Sequence, residues 1–270
     1  MNKIRIVNDN LENLSLNKGI NIEYIKKECL FGINEIKINV VKNTNLDIDI
    51  DLKEDTKLNF NIIVAANVNL NLNILTKGST GKIQYKYKLN ENSMCNVFKF
   101  QNVDKIKEMI IADLNGINAS FIYNFKTISN QKETYDFHIF HNAKDTISNI
   151  KNNGVCIDEG VIIYQVSSFV PKNITGCTVN QNNRIINLTN NKSEIKPNLY
   201  IDCNDVTASH SALIGKFSDE EMFYIQSRGI DYKSAIKLLI TGFLTSDISN
   251  AKITKNILRN INKYWRWKYE

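Results

Sequence analysis

The feature that most constrains this chain is a period-two alternation of apolar residues with Asn, Asp or Lys, kept up from residue 35 to residue 100. LDIDIDL (46–52), LNFNIIV (58–64), VNLNLNIL (68–75) and IQYKYKL (83–89) are its plainest copies. Successive side chains on extended backbone point to opposite faces, so each copy describes a strand with one buried and one wet side. The copies begin roughly 10–15 residues apart and are separated by turn-forming pieces such as KEDT, AAN, KGSTG and NENS. Short strands at this spacing fold as a sandwich, a barrel or a β-solenoid.

Three observations favour the solenoid. The alternation continues, less regularly, through CNVFKF (95–100), MIIADL (109–114), SFIYNFKTI (120–128), TYDFHIFH (134–141), VIIYQVSSF (161–169) and RIINLTN (184–190). The chain has only two prolines and few Asn-Gly or Asp-Gly pairs, whereas a meander of tight hairpins needs many such turns. Its abundant asparagine suits stacked turns, because Asn tolerates left-handed backbone. An AT-rich coding sequence would enrich asparagine as well.

From Ser218 the period changes. Ser218-Asp219-Glu220-Glu221 forms an S-x-x-E capping box that opens a helix ending at a glycine cap, Gly229. A second helix is predicted from Asp231, burying Ala235, Leu238 and Leu239 and stopping near Gly242. Ser246 or Asp247 would cap a third, which carries Ile253, Ile257, Ile261 and Trp265 on one stripe. The expected organisation is a strand-rich body over residues 1–216 and a helical segment over 217–270, with no long linker between them.

Composition narrows the class. With 43% hydrophobic and 23% charged residues in 270, the chain is expected to be globular and soluble. Neither IIVAA (62–66) nor AIKLLITGFL (235–244) is long enough to span a bilayer, and no targeting segment stands at the N-terminus, so a cytoplasmic protein is expected. Five scattered cysteines without a CxxC pair argue against a disulfide framework and a self-contained zinc site. The net charge of +6 is concentrated in residues 252–270, which carry +5, while the remainder holds 28 basic against 27 acidic residues. KYWRWKY (263–269) could stack on single-stranded bases. An amphipathic terminal helix with a snorkelling basic face explains the same residues, and no nucleic-acid partner is expected.

The motifs of common enzymes are missing: there is no GxxxxGK[ST], GxGxxG, GxSxG or HExxH, and no defensible carboxylate pair. A scaffold or binding protein is expected rather than an enzyme. Of the three histidines, His138 and His141 fall on opposite faces of one strand, reading as one solvated and one inward ring. His210 lies in IDCNDVTASHSALIG, read as a strand passing into a loop with Asp202, Cys203, Asp205, Ser209 and Ser211. Thiolate, imidazole and carboxylate within eight residues form a candidate set for iron or zinc, although one short stretch does not by itself converge on an ion.

The stretch 197–244, PNLYIDCNDVTASHSALIGKFSDEEMFYIQSRGIDYKSAIKLLITGFL, resembles the C-terminal signature of the SufB/SufD family of iron–sulfur cluster assembly proteins. The ordered matches include Pro197, Asp205, Val206, Ser209, His210, Gly215, Asp219, Glu220, Phe223, Tyr224, Ser227, Arg228, Gly229, Leu238, Leu239, Gly242 and Phe243. HIFHNAKDTISNIKNNGVCIDEGVIIYQ (138–165) and QNNRIINLTNN (181–191) resemble two upstream blocks. The resemblance implies a right-handed parallel β-helix, and a short, minimal version in which the N-terminal helical region of larger members is nearly absent. It implies C-terminal helices that dock an ABC-type ATPase, SufC, for which Met222, Phe223, Tyr224 and Leu239 are candidates. It also implies dimerisation through the β-helix, with itself or a SufB/SufD paralogue. A cysteine desulfurase system and recipient apoproteins would be indirect partners, and ATP would enter only through the ATPase.

A transient iron–sulfur cluster is the implied cargo, with His210 and Cys203, then Cys177, as its candidate ligands; packing in the core is the competing role of both thiols. SufB-type chains carry a cysteine where this one has Asn182 and a glutamate where it has Ser211; SufD-type chains carry a histidine matched by His210. The resemblance therefore implies a scaffold subunit that builds and passes on clusters. The alternative is a structural partner that dimerises and recruits the ATPase while another subunit holds the cluster.

Overall fold

The computed structural model describes residues 2–8, 10–16, 19–248 and 250–269, apart from the side chains of 13, 14 and 266–269. The alternating strands coil into a parallel β-solenoid of about seven turns, followed by three helices. One face runs β2 (Asn10–Ser15), β1 (Asn2–Val7), β5 (Thr44–Leu52), β7 (Asn69–Leu89), β8 (Met94–Leu114), β9 (Ser120–Ser129), β11 (Ile147–Cys156), β13 (Cys177–Asn187) and β15 (Val206–Gly215). The other runs β3 (Ile20–Lys26), β4 (Asn34–Val40), β6 (Thr56–Val64), the second halves of β7 and β8, β10 (Lys132–His141), β12 (Val161–Val170) and β14 (Glu194–Ile201). Each turn lays one strand on each face, which explains the short spacing of the sequence repeat. Register partners lie 24 residues apart at Ile36 and Phe60 and 31 apart at Ile147 and Thr178.

One expected turn is absent, and two runs read as separate strands are one. KGSTG lies inside β7, and the segment between CNVFKF and MIIADL lies inside β8, each a continuous 21-residue strand that bends from one face to the other. The bend is possible because Gly78, at φ 120°, pairs with Leu52 on one side and Val103 on the other.

Asparagine does what its left-handed tolerance suggests. Asn67, Asn92 and Asn118 occupy one corner of successive turns with φ between 52° and 60°. Their amides form a ladder, Asn92 Nδ2 donating to Asn67 Oδ1 (3.1 Å) and Asn118 Nδ2 to Asn92 Oδ1 (3.0 Å). The interior is filled by the inward half of every alternation, with aromatic stacking from Phe60 through Tyr85 to Tyr87.

The two ends differ. At the N-terminal end β2 and β3 run antiparallel to β1 and β4, interrupting the parallel ladder that would otherwise invite a further strand. At the C-terminal end β15 pairs only with β13 and β14 only with β12 among the described residues.

The helices are α1 (Asp219–Gln226), α2 (Tyr232–Thr245) and α3 (Ala251–Tyr269). The Ser218–Glu221 capping box forms as read, and Gly229 adopts φ 81°. Three expectations fail. α2 continues past Gly242 to Thr245, because Leu244 is buried against the body. Leu238 faces water at 51% exposure. Neither Ser246 nor Asp247 caps α3; Asn250 Oδ1 accepts from the amides of Lys252 (3.0 Å) and Ile253 (3.1 Å). Asp247 instead bonds Lys126 (2.8 Å) and Lys151 (2.7 Å) on the outer face of β9 and β11. Burial alone would raise its pKa, but the two lysines hold the carboxyl below its usual range.

The stripe Ile253, Ile257 and Ile261 joins Ile240 and Leu244 in covering Phe100, Ile128, Val155 and Ile186 of the sheet. Each such side chain contributes roughly 1.5–3 kcal/mol. α1 packs on α2 through Met222, Ile225 and Ala235, with Phe217 beside them.

A Cβ at Gly78 would sit 2.0 Å from Leu52 O, and left-handed backbone adds strain. Gly78→Ala is therefore expected to lower stability by on the order of 3 kcal/mol or more, read from urea unfolding. An unchanged midpoint would contradict the bend described.

Candidate functional site

In a parallel, in-register stack, partnered residues point to the same side of the sheet, so inward rows can be followed turn by turn. One row runs Leu46, Leu72, Val97, Tyr123, Ile150, Gln181, His210. It is apolar until its last two members. Gln181 is buried and its amide donates to Ser168 Oγ (2.9 Å) and Asn198 O (3.1 Å). His210, directly above it on β15, is exposed because no further turn covers the stack. The expected loop after Cys203 is thus mostly strand: Val206–Gly215 pairs along its whole length with β13. Ser209 and Ser211 lie on that strand, and Ser209 Oγ donates to Asn180 Oδ1 (2.8 Å).

The three candidate ligands do not meet within one chain. Cys177 is opposite Val206, and His210 is four residues further along β15, about 13 Å at the rise of a strand. Cys177 is buried beside Val170 and Val179, its Sγ 3.3 Å from Thr146 Oγ1. Cys203 packs at the rim of that cluster, where its sulfur accepts from the amide of Asp205 (3.4 Å). Among the described residues no three His, Cys, Asp or Glu side chains converge as a metal site. Cys95 and Cys156 are buried, and desolvation pushes the Cys95 thiol far up and the Cys156 thiol up to about 11, so both are inert. Asn182 and Ser211, where SufB-type chains carry a cysteine and a glutamate, are register partners on adjacent strands.

The other histidines behave as the alternation indicated. His138 faces outward, its Nε2 3.0 Å from Asp136 Oδ1, beside a surface stack of Phe140, Phe169 and Tyr200 with centroids 4.8 Å apart. That stack ends at Tyr200, exposed on the open edge strand β14. His141 points inward, its ring nitrogens bonded to Thr146 Oγ1 (2.8 Å) and Ser148 Oγ (2.9 Å), and desolvation lowers its pKa to about 4.

Sequence reasoning missed the polar interior. Lys99 and Glu108 form a fully buried ion pair, with the ammonium 4.7 Å from the centre of the Tyr85 ring. One turn on, Glu133 accepts from Tyr135 OH (2.7 Å) and Thr127 Oγ1 (2.8 Å), and burial pushes its carboxyl up to about 8. Nearer the open end Asn152 donates to Asn183 (2.8 Å). The available signal was the charged or amide residue at inward phase in KETYDF, CNVFKFQ and NQNNR.

The helical candidates divide. Phe223 and Tyr224 are exposed at 73% and 59%, whereas Met222 and Leu239 pack between α1 and α2. Leu238 is the exposed apolar residue on α2 that sequence reading put in the core. Arg228 lies over the Tyr224 ring, 4.4 Å from its centre. The side chains of 266–269, most of the KYWRWKY segment, fall outside the described residues.

A strand coil with an open last turn and a helical appendage defines the class to which comparison with known proteins adds a family. Residues 33–243 match the SufBD core domain of the SUF system for FeS cluster assembly. The iron–sulfur cluster assembly protein SufD of Bacillus subtilis is 29% identical over 124 residues, covering 46% of this chain and 28% of that protein. SufD of Escherichia coli is 34% identical over 73 residues, 26% of this chain and 17% of that protein. A SufBD family protein of Mycobacterium leprae is 37% identical over 81 residues, 29% of this chain and 21% of that protein. The aligned stretches thus span less than a third of these relatives. The chain belongs to the SufBD family of iron–sulfur cluster assembly proteins. Among the described residues no helix is long and apolar enough to cross a membrane.

His141 contributes one pH dependence to this half of the solenoid, opposite in sign to that of Glu133. Its folded pKa is depressed, so its stabilising contribution is complete above about 6.5 and is lost as pH falls through about 4. The loss amounts to about 3 kcal/mol. Unfolding free energies measured between those limits should fall less steeply in His141→Asn than in the wild type, and parallel profiles would refute this.

Proposed function

We propose that this chain is a scaffold subunit of iron–sulfur cluster assembly whose ligand set is completed across a seam with a second SufBD-type chain. The observation that carries this is the open last turn. β14 and β15 offer unpaired strand edges, with Tyr200, Leu213 and Ile214 exposed beside them. Edge strands of this kind pair with another chain. A second β15 laid antiparallel, with its dyad near residue 210, sets the two His210 rings within cross-strand reach and doubles the donors at one place. Cys203, at the rim of the same end, is the thiol best placed to join them, and the cluster is cargo held there in transit. Cys177 would need the rim to open.

The second part of the reading is a SufC-like ABC ATPase gripping α1 and α2. Phe223, Tyr224 and Leu238 are apolar and exposed on α1 and α2, so they offer a partner a surface whose loss costs the fold little. Movement of a docked motor, passed through α2 to the sheet, is a means of opening the seam.

A specific observation also favours a structural partner that holds no cluster: Asn182 and Ser211 supply neither thiolate nor carboxylate at adjacent outward positions. Anaerobic reconstitution of the full chain with iron and sulfide separates the readings. The His210→Ala/Cys203→Ala double variant is expected to lose most of the charge-transfer absorbance; absorbance equal to wild type would favour the structural partner. For docking, Phe223→Ala/Tyr224→Ala is expected to weaken binding to the cognate ATPase at least ~10-fold in a titration, with unchanged thermal unfolding. Undiminished binding would remove α1 as the docking surface.

A further inference from the structure

At the opposite end from His210, a cleft of about 570 Å³ lies between α3 and the outer face of β1, β5, β7 and β8. Six cations and three carboxylates line it. Three of the cations are already committed. Lys252 bonds Asp49 (2.7 Å) and Asp47 (3.2 Å), Lys3 bonds Asp49 (3.3 Å), and Lys77 bonds Asp51 (2.9 Å). Arg5 is held loosely by Glu12 at 3.7 Å.

Arg259 and Lys263 are different. They stand one turn apart on α3 and line the same cleft, and among the described residues neither has an ion pair with a carboxylate. α3 carries no acidic residue from Ala251 to Trp265, and Lys255, Arg259 and Lys263 follow one another at i, i+4 spacing. Such a like-charged row costs helix stability unless a counter-charge sits beside it. Asp104 is the remaining lining carboxylate, and it leaves the cleft with an excess of uncommitted positive charge. Half-buried Leu75 adds an apolar strip. The volume is in the range of small-molecule sites, and a guanidinium with a neighbouring ammonium is the pairing that grips phosphate oxygens.

We propose that this cleft binds a small phosphorylated molecule, with Arg259 and Lys263 holding its phosphates. The site is independent of the seam and of α1, and the proposal stands whether or not the cluster reading does.

The test is calorimetric titration of the full chain with pyrophosphate and with ADP at low salt. Arg259→Gln/Lys263→Gln is compared with Lys172→Gln/Lys192→Gln, which removes the same charge from exposed loop positions elsewhere. Thermal unfolding checks that both variants fold. Pyrophosphate is expected to bind wild type and the loop variant alike, and the cleft variant at least ~10-fold more weakly. ADP tighter than pyrophosphate assigns the ligand a nucleoside, and equal affinities assign it the phosphates alone; either supports the proposal. No binding up to about 10 mM, or equal weakening in both variants, overturns it, the latter leaving only net charge. So does a short single-stranded oligonucleotide that binds and is not displaced by pyrophosphate, since the basic helix would then serve nucleic acid.

Discussion

In-register stacking of successive turns is the constraint on which the rest depends. Once Leu46, Leu72 and Val97 lie over one another, each inward position inherits its surroundings from the turn before and hands them to the next. The core is therefore a set of rows, and a polar residue that enters a row meets partners from its own turn or the next. Asn152 finds Asn183, and Glu133 finds Tyr135 and Thr127. The corners obey the same rule, and the left-handed asparagines bond one another up the stack.

A stack of this kind has two ends, and this molecule treats them differently. Antiparallel β2 and β3 blunt the first turn, while β14 and β15 leave the last one unpaired. Polar residues enter the inward rows from the middle of the stack, at Lys99 and Glu108, through to the exposed end. A carboxyl kept neutral by burial, an imidazole kept neutral in the same way and an amide pair lie beneath an accessible histidine. The helices are strapped to the outer face by an apolar seam and by charges at both flanks, Asp247 on Lys126 and Lys151, and Lys252 on Asp47 and Asp49. α1 packs against α2.

Much of this was legible in the sequence. Alternation at period two names the inward residues strand by strand, and the opposed burial of His138 and His141 follows from parity alone. The Ser218 capping box and the Ile253, Ile257, Ile261 stripe were equally local, since a helix end and a helix face are set by residues within a turn or two. Local signals failed where a distant partner outbid them. Asp247 has the chemistry of a cap, but two lysines some hundred residues earlier hold it. Leu238 has the chemistry of a core residue, but α1 and the sheet leave its side of α2 uncovered.

What the sequence determined by itself was the phase of every strand, the presence of helices after residue 217 and the residue types available at the site, because these depend on near neighbours and on periodicity. Only the tertiary structure decided which turn lies over which, and hence that His210 sits above Gln181 at an open end, some 13 Å along the strand from the Cys177 level. Stacking register is a relation between segments 24 to 31 residues apart, fixed by the shared interior and not by any one strand.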